Sequence, residues 1–444
     1  MFLILLVVSL ALLLVVSYFI LFSKEIGTPA LSFTLGLFVC SVLLSINIEK
    51  WDIEIHEATY WLVFGGCVSL TIGSWVYKQC KKERVRKKDY VFRPISVARF
   101  TMLLYLQLVL AFFQAYFLFK YYGMGSLAEN LVAHTMAIKF EGDSMKLPYG
   151  VGYVIGQTHN MAFVFAFLLP FYIERRKKYK KQYILCLLNF ITTLLISLLS
   201  SGRSGMLWML IAFGTFYFIQ VQRKEGSLKF KRIAQWGIIA YIFLMGFQLM
   251  GTMIGREYSE ENAIADTIIE YCGAQIQNLD DFVSWKEVKT EFWGEITFNS
   301  YYQYVAKNTG LLNLKDRRNE ISPFNQRAGY SLGNVYTAFR NYYIDFGYMG
   351  VFVLCFFMGI VIESLFLFVI GGHSLDTAYL TWQTFLFANI LPSMFMSFFS
   401  EAFCNAVTQI GTHNFWVSYV LMCLLFYGTF PWKKRVDLLQ LNGK

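Results

Sequence analysis

The chain has 444 residues, of which 56% are hydrophobic and 15% charged, with a mean hydropathy of +0.47. A water-soluble protein of this length carries about a quarter of charged residues, so the composition excludes that class. The net charge of +10 does not point to nucleic acid, because the basic residues lie in short connections between apolar runs, where membrane topology places them.

Taken in chain order, eleven runs are long and apolar enough to be read as membrane spans, at 3–22, 29–46, 59–77, 98–121, 151–173, 183–200, 204–221, 235–254, 348–370, 378–400 and 415–430. About 20 apolar residues are needed to cross the hydrocarbon, and the lack of water there makes helices the expected form. The first run lacks a basic n-region and a small-residue cleavage site, so it reads as a retained span and not as a signal peptide. The connections then alternate in charge. Residues 47–58 hold four acids and one lysine, and 122–150 is near neutral. By contrast, 78–93 has eight Lys/Arg, 174–182 six and 222–234 five. Basic loops face the cytoplasm, which predicts the N-terminus outside and the C-terminus inside.

The resulting expectation is an all-α polytopic integral membrane protein of about 11 transmembrane helices with one large outer loop. It divides into an N-terminal bundle of eight spans (1–254), the loop (255–345) and a C-terminal bundle of three spans (346–444). The loop carries nine Lys/Arg and thirteen Asp/Glu, so it is no basic anchor, and a connection of this length implies structure of its own. Ile264, Ile268, Tyr271 and Gln275 recur at helical spacing. Aromatics follow at Phe292, Trp293, Phe298, Tyr301, Tyr302 and Tyr304. They suit an interfacial belt, core packing or stacking on sugar rings.

Nucleotide and metal signatures are absent: there is no GxxxxGK[ST], no GxGxxG, no HExxH and no Cys/His cluster with metal spacing. The eight cysteines are scattered, and a disulfide between Cys272 and Cys404 is compatible with the topology. What remains is a set of arginines at predicted outer helix ends and in the loop. Arg203 sits in Ser201-Gly202-Arg203-Ser204-Gly205, the tip of the tightest hairpin. Arg256 follows the eighth span, and Arg327 and Arg340 precede the ninth. A guanidinium fork matches phosphate oxygens. A single arginine could equally snorkel to water. Convergence of Arg203, Arg256 and Arg340 on one outward cavity would create a phosphate site. Asp345, His159 and Glu401 are the candidate general bases; a carboxylate at the membrane boundary is costly unless paired or functional.

The most distinctive text is GYSLGNVYTAFRNYYIDFGYMGVFVLCFFMGIVIE (329–363). Its Asn-Val-Tyr-Thr, Phe-Arg and Tyr-Tyr-Ile-Asp-Phe-Gly-Tyr-Met-Gly elements resemble the end of the large outer loop in O-antigen and capsule polymerases of the Wzy type. The Ser-Gly-Arg-Ser-Gly hairpin is similar to theirs. Residues match near 200–206 and 323–350, and elsewhere the likeness is one of layout. The resemblance implies a metal-independent glycosyltransferase with a fold like the GT-C enzymes, embedded in the bacterial plasma membrane. It would join oligosaccharide repeat units carried on undecaprenyl diphosphate into polysaccharide. No cofactor is expected, since the lipid diphosphate is the activated donor. The partners implied are the lipid-linked oligosaccharide, membrane lipid, a flippase and a chain-length regulator, with no nucleic acid. The implied catalytic residues are Arg203, Arg340, Asp345 and His159. The implied substrate-binding residues are Arg256, Arg327, Asn334 and Tyr336. The alternatives are an O-antigen ligase-like transferase and a lipid-linked oligosaccharide flippase or other transporter.

Overall fold

A computed structural model describes the chain except for residues 26, 82–91, 93, 124, 138–149, 200–202, 226–268, 286–289, 291, 311–322, 372–373 and 432–444. Among the described residues, eight helices are long and apolar enough to cross a bilayer, or nine if one pair bent by 83° counts as a single span. The chain is therefore a mostly helical, membrane-embedded protein. The predicted run 235–254 lies outside the described residues. The run at 378–400 forms a helix of only 14 residues, Trp382–Phe395, ended by the 3-10 turn Met396–Phe398. The last run forms Phe403–Gly411 and His413–Tyr427, the bent pair. One small sheet interrupts the all-helical plan, and Cys272 and Cys404 are free thiols.

The chain folds into two compact units that interleave in sequence. The first comprises Met1–Arg86, Ser259–Gly371 and Asn389–Thr412; the second comprises Lys87–Tyr258, Gly372–Ala388 and His413–Lys444. Hydropathy divides the chain consecutively, because it registers where apolar runs begin and end. Packing divides it by which runs touch.

In the first unit, α1 (Phe2–Val16) continues through a π-helical turn to Leu21. It buries Leu3, Leu6 and Leu10 and leaves Ile4, Val8, Leu12 and Val15 exposed, a lipid-facing side in a helix that is apolar all round. Helix α2 (Pro29–Ile46) starts with proline at its first position, where a missing N–H is harmless. Helix α3 (Glu57–Lys81) is the unit's main packing partner for the long helix near the end of the segment. The two come together through small residues. Gly73 lies against the Phe356 carbonyl, and Gly359 against the Leu70 carbonyl and the Ser74 amide, so a methyl group at either glycine would strike backbone. The Ser74 hydroxyl donates to the Gly359 carbonyl at 3.1 Å. Small residues permit this approach in membranes, where association rests on close packing and not on the hydrophobic effect.

Numbering of the remaining elements follows the chain. The second unit contains α4 (Val97–Tyr122), α5 (Leu127–Met136), α6 (Val151–Glu174), α7 (Lys180–Leu199) and α8 (Arg203–Glu225). Ser126 and Glu129 form a reciprocal capping box at the start of α5. Helix α6 is the buried centre, with Phe163, Phe165, Phe167 and Phe171 inside. Gln107 donates to the Asn189 side-chain oxygen at 3.0 Å, and Asn189 in turn donates to the carbonyls of Phe100 and Leu185. This closes a polar clasp between α4 and α7.

The first unit resumes with α9 (Ala274–Trp285), α10 (Asn299–Thr309), strands β1 (Asn325–Arg327) and β2 (Tyr330–Gly333), and α11 (Ala338–Gly371). The hairpin turns through Ala328 and Gly329, both with positive φ. That matches the two-residue turn favoured by strand twist, and it pairs Arg327 with Tyr330. Helix α11 is broken at Gly347, whose φ is 66° and ψ −175°. A short segment, 338–346, thus precedes the apolar rod. Helices α12 (Ser374–Thr377), α13 (Trp382–Phe395), α14 (Phe403–Thr408) and α15 (His413–Tyr427) complete the chain.

Candidate functional site

Helix α9 organises the polar part of the first unit. In Gln275-Ile-Gln-Asn-Leu-Asp-Asp-Phe282, the apolar Ile276, Leu279 and Phe282 recur at three-residue spacing and are buried. Gln275, Gln277, Asn278 and Asp280 are each 0% exposed as well. A helix buried on its polar face needs a partner for every polar group, and distant segments supply them. The Gln277 side-chain oxygen accepts the Glu54 N–H at 3.2 Å. Asn278 donates to the carbonyls of Leu332 and Val335 at 2.9 and 2.8 Å. Asp280 accepts the backbone N–H of His56 at 2.9 Å, and its second oxygen lies 2.7 Å from His56 Nδ1. Gly273, just before α9, sits on the backbone of Leu43 and Leu44, which fixes the helix against α2.

An open cleft of about 410 Å³ lies beside this helix, lined by Asp281, Phe282, residues 323–327 and Tyr336. Arg327 is fixed within it: Nη1 donates to Asp281 at 3.0 Å and Nε to the Asp52 carbonyl at 2.6 Å. Asn325 donates to Asp281 and to the Asn278 side chain, at 2.5 and 3.0 Å. Arg340 sits over two rings, 4.8 Å from the centroid of Phe282 and 5.0 Å from that of Tyr336. Cation–π contact of this kind orients a guanidinium. The Tyr336 hydroxyl donates to the Pro323 carbonyl at 3.0 Å. Burial pushes the Tyr336 phenol above its usual value, with the Arg340 charge opposing, so it is a hydrogen-bond donor at neutral pH. The cleft thus combines a fixed guanidinium, an amide, a carboxylate and aromatic rings with a second guanidinium against them, a set suited to a polyhydroxylated or anionic ligand.

Asp345 stands apart from the cleft. Its carboxylate accepts the backbone N–H of Thr297 at 2.6 Å and that of Ile296 at 3.1 Å. It holds the turn that carries Trp293 and Phe298 against Phe346, with ring centroids 4.8 Å and 6.2 Å away. Trp293 remains 69% exposed, and Tyr301 stacks on Tyr304. Glu401 accepts from the Cys404 N–H at 2.7 Å and from the Asn405 side chain at 2.6 Å, which caps α14. Asn334 is half-buried in the turn after β2 and is not one of the cleft-lining residues.

His159 and Arg203 belong to the second unit. Arg203 opens α8. Two residues on, Gly205 is so close to α6 and α7 that a methyl group there would lie 2.6 Å from the Ser197 hydroxyl and 3.6 Å from the His159 ring. The hairpin motif and His159 are therefore neighbours. His159 also meets Phe163 edge-on at 5.0 Å. Arg256 lies outside the described residues. Of the expected site, the first unit places Arg327 and Tyr336 in one cleft and Arg340 against its rings, with Asn334 in a flanking turn and Asp345 apart on the first segment of α11.

Sequence reasoning missed His56, Asp280, Asp281, Phe282 and Asn325. Their link is a pairing across 224 residues between His56 and Asp280, which no local periodicity encodes. The available signal was the polar density of 275–281 inside an otherwise helical pattern. No protein-family model matches the chain, and no curated protein or solved structure is significantly similar to it.

Proposed function

We propose that this protein is a polysaccharide polymerase of the Wzy type in the bacterial plasma membrane. It transfers a growing glycan from its undecaprenyl diphosphate to the next lipid-linked repeat unit. The carrying observation is Arg340, held against both Phe282 and Tyr336 beside a cleft lined by Asp281, Asn325 and Arg327, at the head of a membrane-spanning helix. Negative charge grows on the leaving diphosphate as the glycosidic bond breaks. A preorganised cation there stabilises the transition state more than the ground state. Sugar hydroxyls would be met by Asn325 and Asp281, and sugar faces by the rings. The likeness of 329–350 to the polymerase loop, on the predicted outer side, supports the same reading.

A transporter reading has one observation in its favour. Glu363 of α11 is fully buried and, among the described residues, neither of its oxygens has a hydrogen-bond partner; carboxyls inside spans often mark transport paths. Deleting the gene separates the readings. A polymerase mutant displays single repeat units in place of long chains. A ligase mutant strands long glycans on the carrier lipid, and a flippase mutant displays no repeat units at the surface. Unchanged chain length in the deletion strain would refute the polymerase reading.

A further inference from the structure

His56 and Asp280 form a built acid–base pair that no part of the reading above uses. Asp280 is 1% exposed as a side chain, whereas the His56 side chain is 55% exposed. One carboxylate oxygen takes the His56 backbone N–H and the other faces Nδ1 at 2.7 Å. The carboxylate therefore fixes both the position of the ring and its tautomer, with the proton on Nδ1. The opposite nitrogen, Nε2, is left on the exposed side of the ring with a lone pair. A buried carboxylate orienting a solvent-facing imidazole is the arrangement by which a histidine accepts a proton from a hydroxyl.

The pair borders the cleft. Asp280 is adjacent on α9 to Asp281, which lines the cleft and binds Arg327. Arg327 reaches back to the carbonyl of Asp52, four residues before His56. The charges that face the ring are Asp280 from α9, Glu54 from its own loop and Arg327 from β1.

Resting on the polymerase reading, we propose that His56 is the general base of glycan transfer and Asp280 its positioning residue. Nε2 takes the proton of the acceptor sugar hydroxyl as that oxygen bonds to the anomeric carbon of the donor. The carbon–oxygen bond to the diphosphate breaks, and its electron pair leaves on the diphosphate. His56 then passes its proton to water. The Asp280 hydrogen bond and charge hold His56 above its ordinary value, which strengthens it as a proton acceptor.

The test uses membrane vesicles from the deletion strain, which hold single lipid-linked units, with the full-length protein restored. Chain growth is followed on gels. His56→Gln keeps a donor toward Asp280 but removes the base, and should slow growth by about 100- to 10,000-fold at normal membrane level. His56→Gly should regain activity when imidazole is added. Asp280→Asn should slow growth and move the rising limb of the pH–rate profile to lower pH. His56→Gln at the wild-type rate, or His56→Gly that imidazole does not rescue, would overturn the assignment and leave a structural clasp. Wild-type vesicles that make no polymer would instead overturn the polymerase reading, and the base with it.

Discussion

A snorkelling arginine has a mobile head group, whereas Arg340 is held against two rings. That difference sets what substitution should do. On the polymerase function proposed above, Arg340→Ala should reduce chain growth by about 100- to 1000-fold, the usual effect of losing one preorganised donor. Arg340→Lys should restore little of it, since an ammonium lacks the planar fork; chain-length analysis at matched membrane levels checks both. Asp345 separates anchoring from catalysis in a different way. Its contacts are hydrogen bonds of a charged group to backbone N–H groups, worth about 1.5–3 kcal/mol. Asp345→Asn should therefore speed hydrogen exchange at Ile296 and Thr297. Loss of polymer with exchange unchanged there would mean that Asp345 acts as a base after all. His56 gives a pH dependence of defined sign. Its folded value is raised by Asp280, so the clasp between residues 54–56 and α9 is complete below the ordinary histidine value. It weakens as pH rises through the raised one. Exchange of the His56 amide, corrected for intrinsic rate, should increase across that window, and Asp280→Asn should abolish the increase.

At the scale of elements, the spans were legible because hydropathy is a local property: seven of the predicted runs and the 348–370 run coincide with described helices. The break at Gly347 was not, although Asp-Phe-Gly stood at the predicted boundary, because a helix pattern shows where a turn is tolerated and not where tertiary contacts require one. Asp345 holds the turn at 294–298 just before that break, a pairing 48 residues long that spacing cannot reveal. The cleft was half legible. Arg327, Tyr336 and Arg340 share one stretch of sequence, whereas Asp281 and Phe282 reach the cleft only through packing, and His56 is tied to α9 beside it in the same way. The pairing of α3 with α11 was likewise hidden, since Gly73 and Gly359 read as neutral within apolar runs. It leads to a prediction: Gly359→Leu should destabilise the first unit by about 1–3 kcal/mol through overpacking, seen as a lower melting temperature in detergent. Gly214→Leu, at a glycine with nothing within 4 Å of an added methyl group, should be close to neutral.

For the whole molecule, the interleaving of the two units has a consequence for its biogenesis. Helix α3 is complete by Lys81, but its partner α11 begins only at Ala338. At typical elongation rates of about 5–20 residues per second, the glycine face of α3 waits on the order of ten seconds or more in the membrane before Gly359 is made. Meanwhile the second unit's helices, α4 to α8, are synthesised consecutively and meet neighbours as they emerge. A chain truncated after residue 337 should thus insert α1 to α8 and still be degraded quickly in a pulse–chase experiment. Supplying residues 338–444 as a separate polypeptide should slow that loss, because it returns the face that α3 lacks. Equal half-lives with and without the second fragment would show that α3 needs no such partner. The nascent protein therefore depends on whatever shelters an unfinished helix surface at the insertion site, and slowed translation between residues 81 and 359 would lengthen that exposure in direct proportion.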